Sequence, residues 1–410
     1  MKHDSDILIV GGGLNGPALA LACAQVGLRS IVVDALSTET RADAGFDGRS
    51  YALALASQRL LAAIGVWKQV ADHAQPILHI VTTDGRPGEG PLYPFAMRFD
   101  AAEIDEGPMG FMLEDRFLRQ ALLTAIEAEP LVTHRPGETV VAQQITPGSA
   151  EITLASGATL RGALLVGADG RRSGTCMRAG IQRLAWDYRQ TALVCAVEHD
   201  LPHNGTAQQF FMPHGPLAIL PLPPGNRSSI VWAEAPEIAA EIAALDDDGF
   251  LAALRPRFGD FLGEIRLAGA RFSYPLNLTM ANRTVGERLA LIGDAAQGVH
   301  PIAGQGFNQG LCDVATLTQV LAEAHRRGED IGARLVLERH ASWRSFDRAS
   351  LAFGMDAVNR LFSNDSAILR LGRNLGMGAV QSMPGLRRFF IREAAGLTGD
   401  LPNLLKGRPA

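Results

Sequence analysis

Short apolar runs that break at glycines dominate the first part of the chain, the pattern of strands buried on both faces. Ile7 to Val10 is such a run and stops at Gly11. A stretch rich in alanine and leucine follows from about Leu14 to Val26, and Gly27 supplies a helix C-cap. Ser30 to Val33 is the next run, closed by Asp34. Strand, tight turn, helix and strand in this order predict a βαβ unit on a parallel sheet. Two more buried strands are predicted at Leu164 to Val166 and Leu289 to Ile292, and a helix from about Phe307 to Ala324. The alanines and leucines after Arg49 read as a helix start that Arg49 would cap or solvate.

Between the second and third of these regions the period shortens. Gln190 to Glu198, Gln208 to Met212, Leu217 to Leu220 and Ser228 to Trp232 read as strands, with Pro223-Pro224-Gly225-Asn226 as a hairpin turn. Short strands separated by turns predict an antiparallel sheet, in which Phe210 and Trp232 read as core. The apolar residues around Phe353 to Phe362 fall at helical spacing and also read as core. From Ser366 to Ala410, seven Lys or Arg stand against two acids, with Leu386, Phe389, Phe390 and Ile391 among them. That stretch reads either as a helix resting on an anionic membrane or as a packed helix with solvated arginines or a protein partner.

Composition narrows the class. At 410 residues the chain exceeds what one core usually serves, so at least two domains are expected. A 47% hydrophobic fraction describes a globular protein, and the net charge of -5 argues against a nucleic-acid partner. Cys23, Cys176, Cys195 and Cys312 are scattered with no Cys-x-x-Cys pair, which indicates neither zinc nor a disulfide framework and suits the cytoplasm. Neither a signal peptide nor an apolar run long enough to span a bilayer is visible.

The first glycine turn carries chemistry. Gly11, Gly13 and Gly16 have the spacing at which the first permits the turn, the second admits a pyrophosphate, and the third lets helix and strand pack closely. Asp34 stands 23 residues after Gly11, where an acid would accept hydrogen bonds from a ribose. This pattern does not separate NAD from FAD. The decision rests on Gly167-Ala168-Asp169-Gly170-Arg171-Arg172 and on Gly293-Asp294-Ala295-Ala296, followed by His300-Pro301-Ile302-Ala303-Gly304-Gln305-Gly306-Phe307-Asn308. The last stretch leads into a helix whose N-terminus can face the negative edge of a reduced flavin.

In this order and spacing, the three stretches resemble the class A flavin-dependent aromatic monooxygenases. The resemblance implies FAD held at Gly11, Gly13, Leu14, Asn15, Gly16 and Asp34, with Asp169 near both FAD and the pyridine nucleotide. Gly293 and Asp294 would meet the ribityl and pyrophosphate region, and Pro301, Gly304, Gly306, Phe307 and Asn308 the isoalloxazine. Asp47 to Leu53, Phe210 to Trp232, His300 to Gly306 and Arg387 to Pro402 further resemble the ubiquinone-biosynthesis hydroxylases, across nearly the whole chain. This places Arg49 by the flavin and implies catalytic roles for Arg49, His300, Pro301, Gln305 and Gly306. Departures are Gln297, where that group has histidine, and Asp115, where many class A enzymes have arginine or glutamine towards FAD. The latter leaves Arg116 as the phosphate contact.

The implied fold is α/β: a Rossmann-like FAD-binding domain with a parallel sheet, similar to para-hydroxybenzoate hydroxylase, a mixed or antiparallel substrate sheet and a helical C-terminus. The FAD-binding part would comprise 1–75, 101–182 and 275–345, the substrate sheet 76–100 and 183–274, and the C-terminal helical segment 346–410. The implied reaction hydroxylates a polyprenylated phenol through a flavin C4a-hydroperoxide, with NAD(P)H as electron donor and O₂ as co-substrate. The rival readings are a quinone or prenyl reductase without oxygen insertion and a non-catalytic FAD-retaining subunit. A flavin halogenase would need a Trp-x-Trp pair, which the chain lacks. Peripheral contact with the inner face of the cytoplasmic membrane, other ubiquinone-biosynthesis proteins or a second copy of the chain complete the expected partners.

Overall fold

The computed structural model describes residues 3–43, 45, 48–86, 90–91, 96–298, 305–345 and 376–410. Its first sheet runs in the order 140–145, 150–154, 159–167, 5–10, 30–34, 132–136, with 289–291 also paired to the 159–167 strand. Strands Thr159–Gly167, Ser5–Val10, Ser30–Asp34 and Val132–Pro136 run parallel in succession, Leu289–Leu291 lies parallel to Thr159–Gly167, and strands 140–145, 150–154 and 285–286 pair antiparallel. Ile7, Leu8, Ile9, Val32, Leu164, Leu165 and Val166 are fully buried, which is why these strands lack polar alternation.

Helix Asn15–Ala24 is buried from Gly16 to Ala24. Its alanines let it lie between the sheet and helix Gln305–Arg326, whose Leu311, Val314, Ala315 and Leu317 are also fully buried. A helix apolar all round can exist only in such a sandwich.

The second sheet runs 297–298, 272–281, 183–199, 227–234, 215–222, 206–212, 79–86, 90–91, and is antiparallel except where Thr206–Met212 lies parallel to His79–Arg86. The four strands expected there are present, and Leu222 pairs with Arg227 across the predicted hairpin. Strand Phe272–Ala281 crosses the 274/275 boundary drawn from the sequence. Helices Pro236–Ala244 and Asp247–Phe258 cover one face, packing Phe250, Leu254 and Phe258 on Phe210 and Trp232.

A third sheet joins the two. Strand Gly110–Glu114 lies between Ser50–Ala54 and Gln75–Ile77. The residues after Arg49 are therefore a strand, and the helix begins only at Leu55. Antiparallel pairing of Ser50 with Glu114 through Ala54 with Gly110 overrides the helical propensity of alanine and leucine. At the C-terminus, helix Pro384–Ala394 docks through the buried Ile391. The apolar residues at 353–362 lie outside the described residues.

Candidate active site

All parallel strands of the first sheet end on the same side, and this gathers the candidate residues. Val10 pairs with Val33 and Gly167, and Gly167 with Leu291. Gly11, Asp34, Ala168-Asp169 and Ile292-Gly293-Asp294 consequently emerge along one edge, the place where open α/β sheets take ligands.

Within the glycine turn the three positions do different things. A Cβ on Gly11 would lie 2.3 Å from the Ala168 carbonyl oxygen, and one on Gly16 would lie 2.0 Å from the Gly11 oxygen. A Cβ on Gly13 would meet nothing within 4 Å. Protein packing thus accounts for Gly11 and Gly16, whereas Gly13 borders open space of the kind a pyrophosphate needs. The helix behind it has no side-chain cap and no acid in its first turn, leaving N–H groups and the positive dipole end for an anion. Asn15 Oδ1 is buried without a partner among the described residues, wedged where Cβ atoms on Gly293 or Gly310 would collide with its carboxamide. These features fit FAD.

Asp34 is buried and meets Arg41 in two contacts, Oδ2 to Nε at 2.5 Å and Oδ1 to Nη2 at 2.9 Å. The Leu36 N–H donates to Oδ1 at 3.1 Å. Arg41, which the sequence pattern did not single out, therefore shares the Asp34 end of the site. Asp169 accepts from the Ser173 hydroxyl and, at 2.9 Å each, from the Thr175 N–H and hydroxyl. Its carboxylate shapes its own loop. Asp294 is partly exposed, 3.2 Å from Arg171 Nε, and Arg183 Nη2 donates to its carbonyl at 2.8 Å. Behind it the Gly293 N–H donates to buried Asp313, which is paired with buried Arg344 at 2.8 Å.

Helix Gln305–Arg326 carries Gly306, Phe307 and Asn308 in its first turn. Phe307 sits 5.1 Å from the Tyr51 ring, centroid to centroid. The Asn308 carboxamide is turned into the protein: Oδ1 accepts from Ala54 N–H at 2.9 Å and Ser57 Oγ at 2.7 Å, and Nδ2 donates to Ala52 O at 2.8 Å. The candidates His300, Pro301 and Gly304 lie outside the described residues, and of Gln305 only the backbone is described.

Arg49 and Arg116 part company. The Arg49 guanidinium is half exposed and lies 3.1 Å from buried Asp115, which also accepts from Tyr51 at 2.8 Å and Arg119 at 3.0 Å. Burial first, and then the Asp115 charge, hold the Tyr51 phenol well above its usual range, so it remains a donor. Arg116 instead points to Glu114, 2.7 Å away, and over the Phe117 ring. The Glu114 carboxylate that accepts from it is buried. Next to Arg49, a cavity of about 240 Å³ is lined by Gly48, Val194, Phe272, Ser273 and Tyr274. The Gln297 carboxamide is buried, and neither of its polar atoms has a partner among the described residues.

Comparison with known proteins bears on this geometry. Residues 4–343 match the family described as FAD binding domain. A ubiquinone hydroxylase, UbiL of Rhodospirillum rubrum, is 46% identical over 408 residues, covering 99% of this chain and 93% of its own. The 3-demethoxyubiquinol 3-hydroxylase of Escherichia coli is 35% identical, covering 97% of this chain and all (100%) of its own. Among solved structures, p-nitrophenol 4-monooxygenase PnpA of Pseudomonas putida superposes with a TM-score of 0.80 at 18% identity, covering 97% and 99% of the two chains, which speaks to fold alone.

Proposed function

Because the chain belongs to the FAD-dependent hydroxylases of ubiquinone biosynthesis, we propose that its substrate is a phenol ring bearing a polyprenyl tail, taken up at the junction of the third sheet with the second. The observation that carries this reading is the cavity beside Arg49, between the segment that leads into strand Ser50–Ala54 and the second sheet. Its walls are largely apolar, its volume suits a single ring, and Arg49, Ser273 and Tyr274 offer polar contacts for a phenol oxygen. A tail would have to run outside it.

When bound, FAD supplies the redox chemistry, passing electrons from NAD(P)H to O₂ so that one oxygen atom reaches the ring. The residues of the chain bind and orient. Gly13 and the N-terminus of helix Asn15–Ala24 would hold the pyrophosphate, with Gly11, Leu14, Asn15 and Gly16 shaping the turn. Asp34 would take the ribose, and Gly293 and Asp294 the chain between ribose and ring. Arg49, steadied by Asp115, would place positive charge at the junction, while Gly306 and Phe307 would close the far side. Asp169 and Asn308 would serve by holding the loops on which neighbouring contacts depend. The relatives favour oxygen insertion over the reductase and non-catalytic alternatives.

A membrane contact belongs to the same reading. No helix among the described residues is long and apolar enough to cross a membrane. On helix Pro384–Ala394, Arg387 and Arg392 are engaged by Glu103 and Glu106, while Phe389, Phe390 and the preceding Met383 are exposed. That apolar edge beside exposed Arg388 supports peripheral attachment, where a polyprenyl tail would be found.

The test is anaerobic reduction of the FAD-loaded protein by NADH and NADPH, with and without a short-chain prenylphenol. Acceleration by the phenol is the expected result. Reduction at the same rate without it, or failure with both nucleotides while dithionite still reduces the flavin, would refute substrate-gated hydroxylation by direct NAD(P)H use.

A further inference from the structure

We propose that Glu114 is a positioning residue that links the second sheet to Arg49, so that a ring in the junction cavity alters the setting of Arg49 and with it the rate of flavin reduction. This rests on the reading that a phenol enters at that junction.

Glu114 and Asp115 are consecutive, at the point where strand Gly110–Glu114 passes into helix Asp115–Ala128. Both carboxylates are buried, and they serve opposite sides. Glu114 Oε1 accepts from Arg227 Nη1 at 2.7 Å, and Arg227 opens strand Arg227–Glu234 of the second sheet. Glu114 Oε2 accepts from Arg116 Nε at 2.7 Å. Asp115 holds the Arg49 guanidinium at 3.1 Å, and its N–H donates to the Arg49 carbonyl at 3.0 Å. A second tie runs alongside: Ser50, paired in register with Glu114, donates from Oγ to Ser229 Oγ at 3.1 Å.

These contacts close a circuit. Val194 lines the cavity and pairs with Val231 on the strand that Arg227 opens. From Arg227 the path crosses the ion pair to Glu114, passes one peptide unit to Asp115, and returns to Arg49, which lines the same cavity. A ligand that shifts Val194 therefore moves the anchor of Arg49 through short contacts on the buried Glu114 and Asp115 carboxylates, which have little room to absorb the displacement. Cohesion between the sheets does not by itself call for this arrangement, because buried ion pairs are a weak source of net stability against apolar replacements.

Full-length, FAD-loaded Glu114→Gln, Arg227→Met, Arg227→Lys and the double variant Glu114→Gln/Arg227→Met test this, the double variant removing both charges so that neither is left uncompensated. Flavin fluorescence gives FAD affinity, and anaerobic stopped-flow gives reduction rates with and without a short-chain prenylphenol. FAD affinity and the rate without phenol should stay near wild type. Stimulation by the phenol should fall about fivefold or more in the single neutralised variants, the lower end of usual coupling between sites. Arg227→Lys should restore part of it, and the double variant should be no worse than either single. In the FAD-free chain, phenol should slow amide exchange in residues 50–54 of wild type and not of Glu114→Gln. FAD-loaded variants that keep full stimulation, or equal protection of residues 50–54 in both proteins, would overturn the role of Glu114. A wild type that the phenol does not stimulate would instead remove the substrate reading on which the role rests.

Discussion

At the scale of single residues, the glycine turn separates packing from binding. Gly16→Ala places a methyl 2.0 Å from the Gly11 oxygen, so urea unfolding should show a loss of about 1–3 kcal/mol, typical of forced overpacking. Gly13→Ala meets open space, so the apo chain should unfold near the wild-type midpoint while FAD affinity drops about tenfold, or ~1.4 kcal/mol. Equal effects of the two substitutions would contradict the assignment. Gly11, Gly16 and Asp34 were legible because their spacing is local and tied to one strand and one helix. The Glu114–Arg227 pair was not, since its partners stand 113 positions apart and meet only through tertiary pairing. The pairing of Arg116 with the same buried carboxylate was not legible either, since only the fold shows that the Glu114 side chain is buried.

Among the elements, helix Gln305–Arg326 and helical residues 334–345 are joined by Asp313 and Arg344, both nearly fully buried, and Arg344 also donates to Gln309 at 2.6 Å. Removing one member leaves an uncompensated charge, so Arg344→Met should cost about 3–5 kcal/mol in chemical denaturation, with Asp313→Leu/Arg344→Met recovering much of it. A single variant as stable as wild type would show that the pair does not brace the Gly293 turn. Strands were read well where burial makes them continuously apolar, as in 5–10 and 164–166. Residues 50–54 were misread because alanine and leucine suit a helix, and only pairing with 110–114 makes them a strand. The polar bridge between sheets therefore lay in an element whose type the local pattern did not disclose.

For the whole molecule, two buried histidines make stability depend on acid. His199 and His203 are held by Leu201, Ser228 and Leu222, and burial pushes both imidazoles below their ordinary value of about 6.5. A depressed value in the fold means the unfolded chain binds protons first. Their contribution is thus full above about pH 6.5 and is lost as pH falls through the folded-state values. Urea midpoints should decline from pH 7.5 to 5, and His203→Gln should flatten part of that slope. An unchanged slope would place the acid sensitivity elsewhere. The larger architecture, an FAD-site sheet with a parallel core beside a mostly antiparallel one, followed from the change in hydrophobic period, whereas the junction cavity depended on how the sheets meet. That junction is where the account is most directly tested. The measurement is turnover of a short-chain prenylphenol by the FAD-loaded protein under ¹⁸O₂ with NAD(P)H, read by mass spectrometry. The account predicts one ¹⁸O atom in a ring-hydroxylated product. NAD(P)H consumption without label in the ring would contradict it.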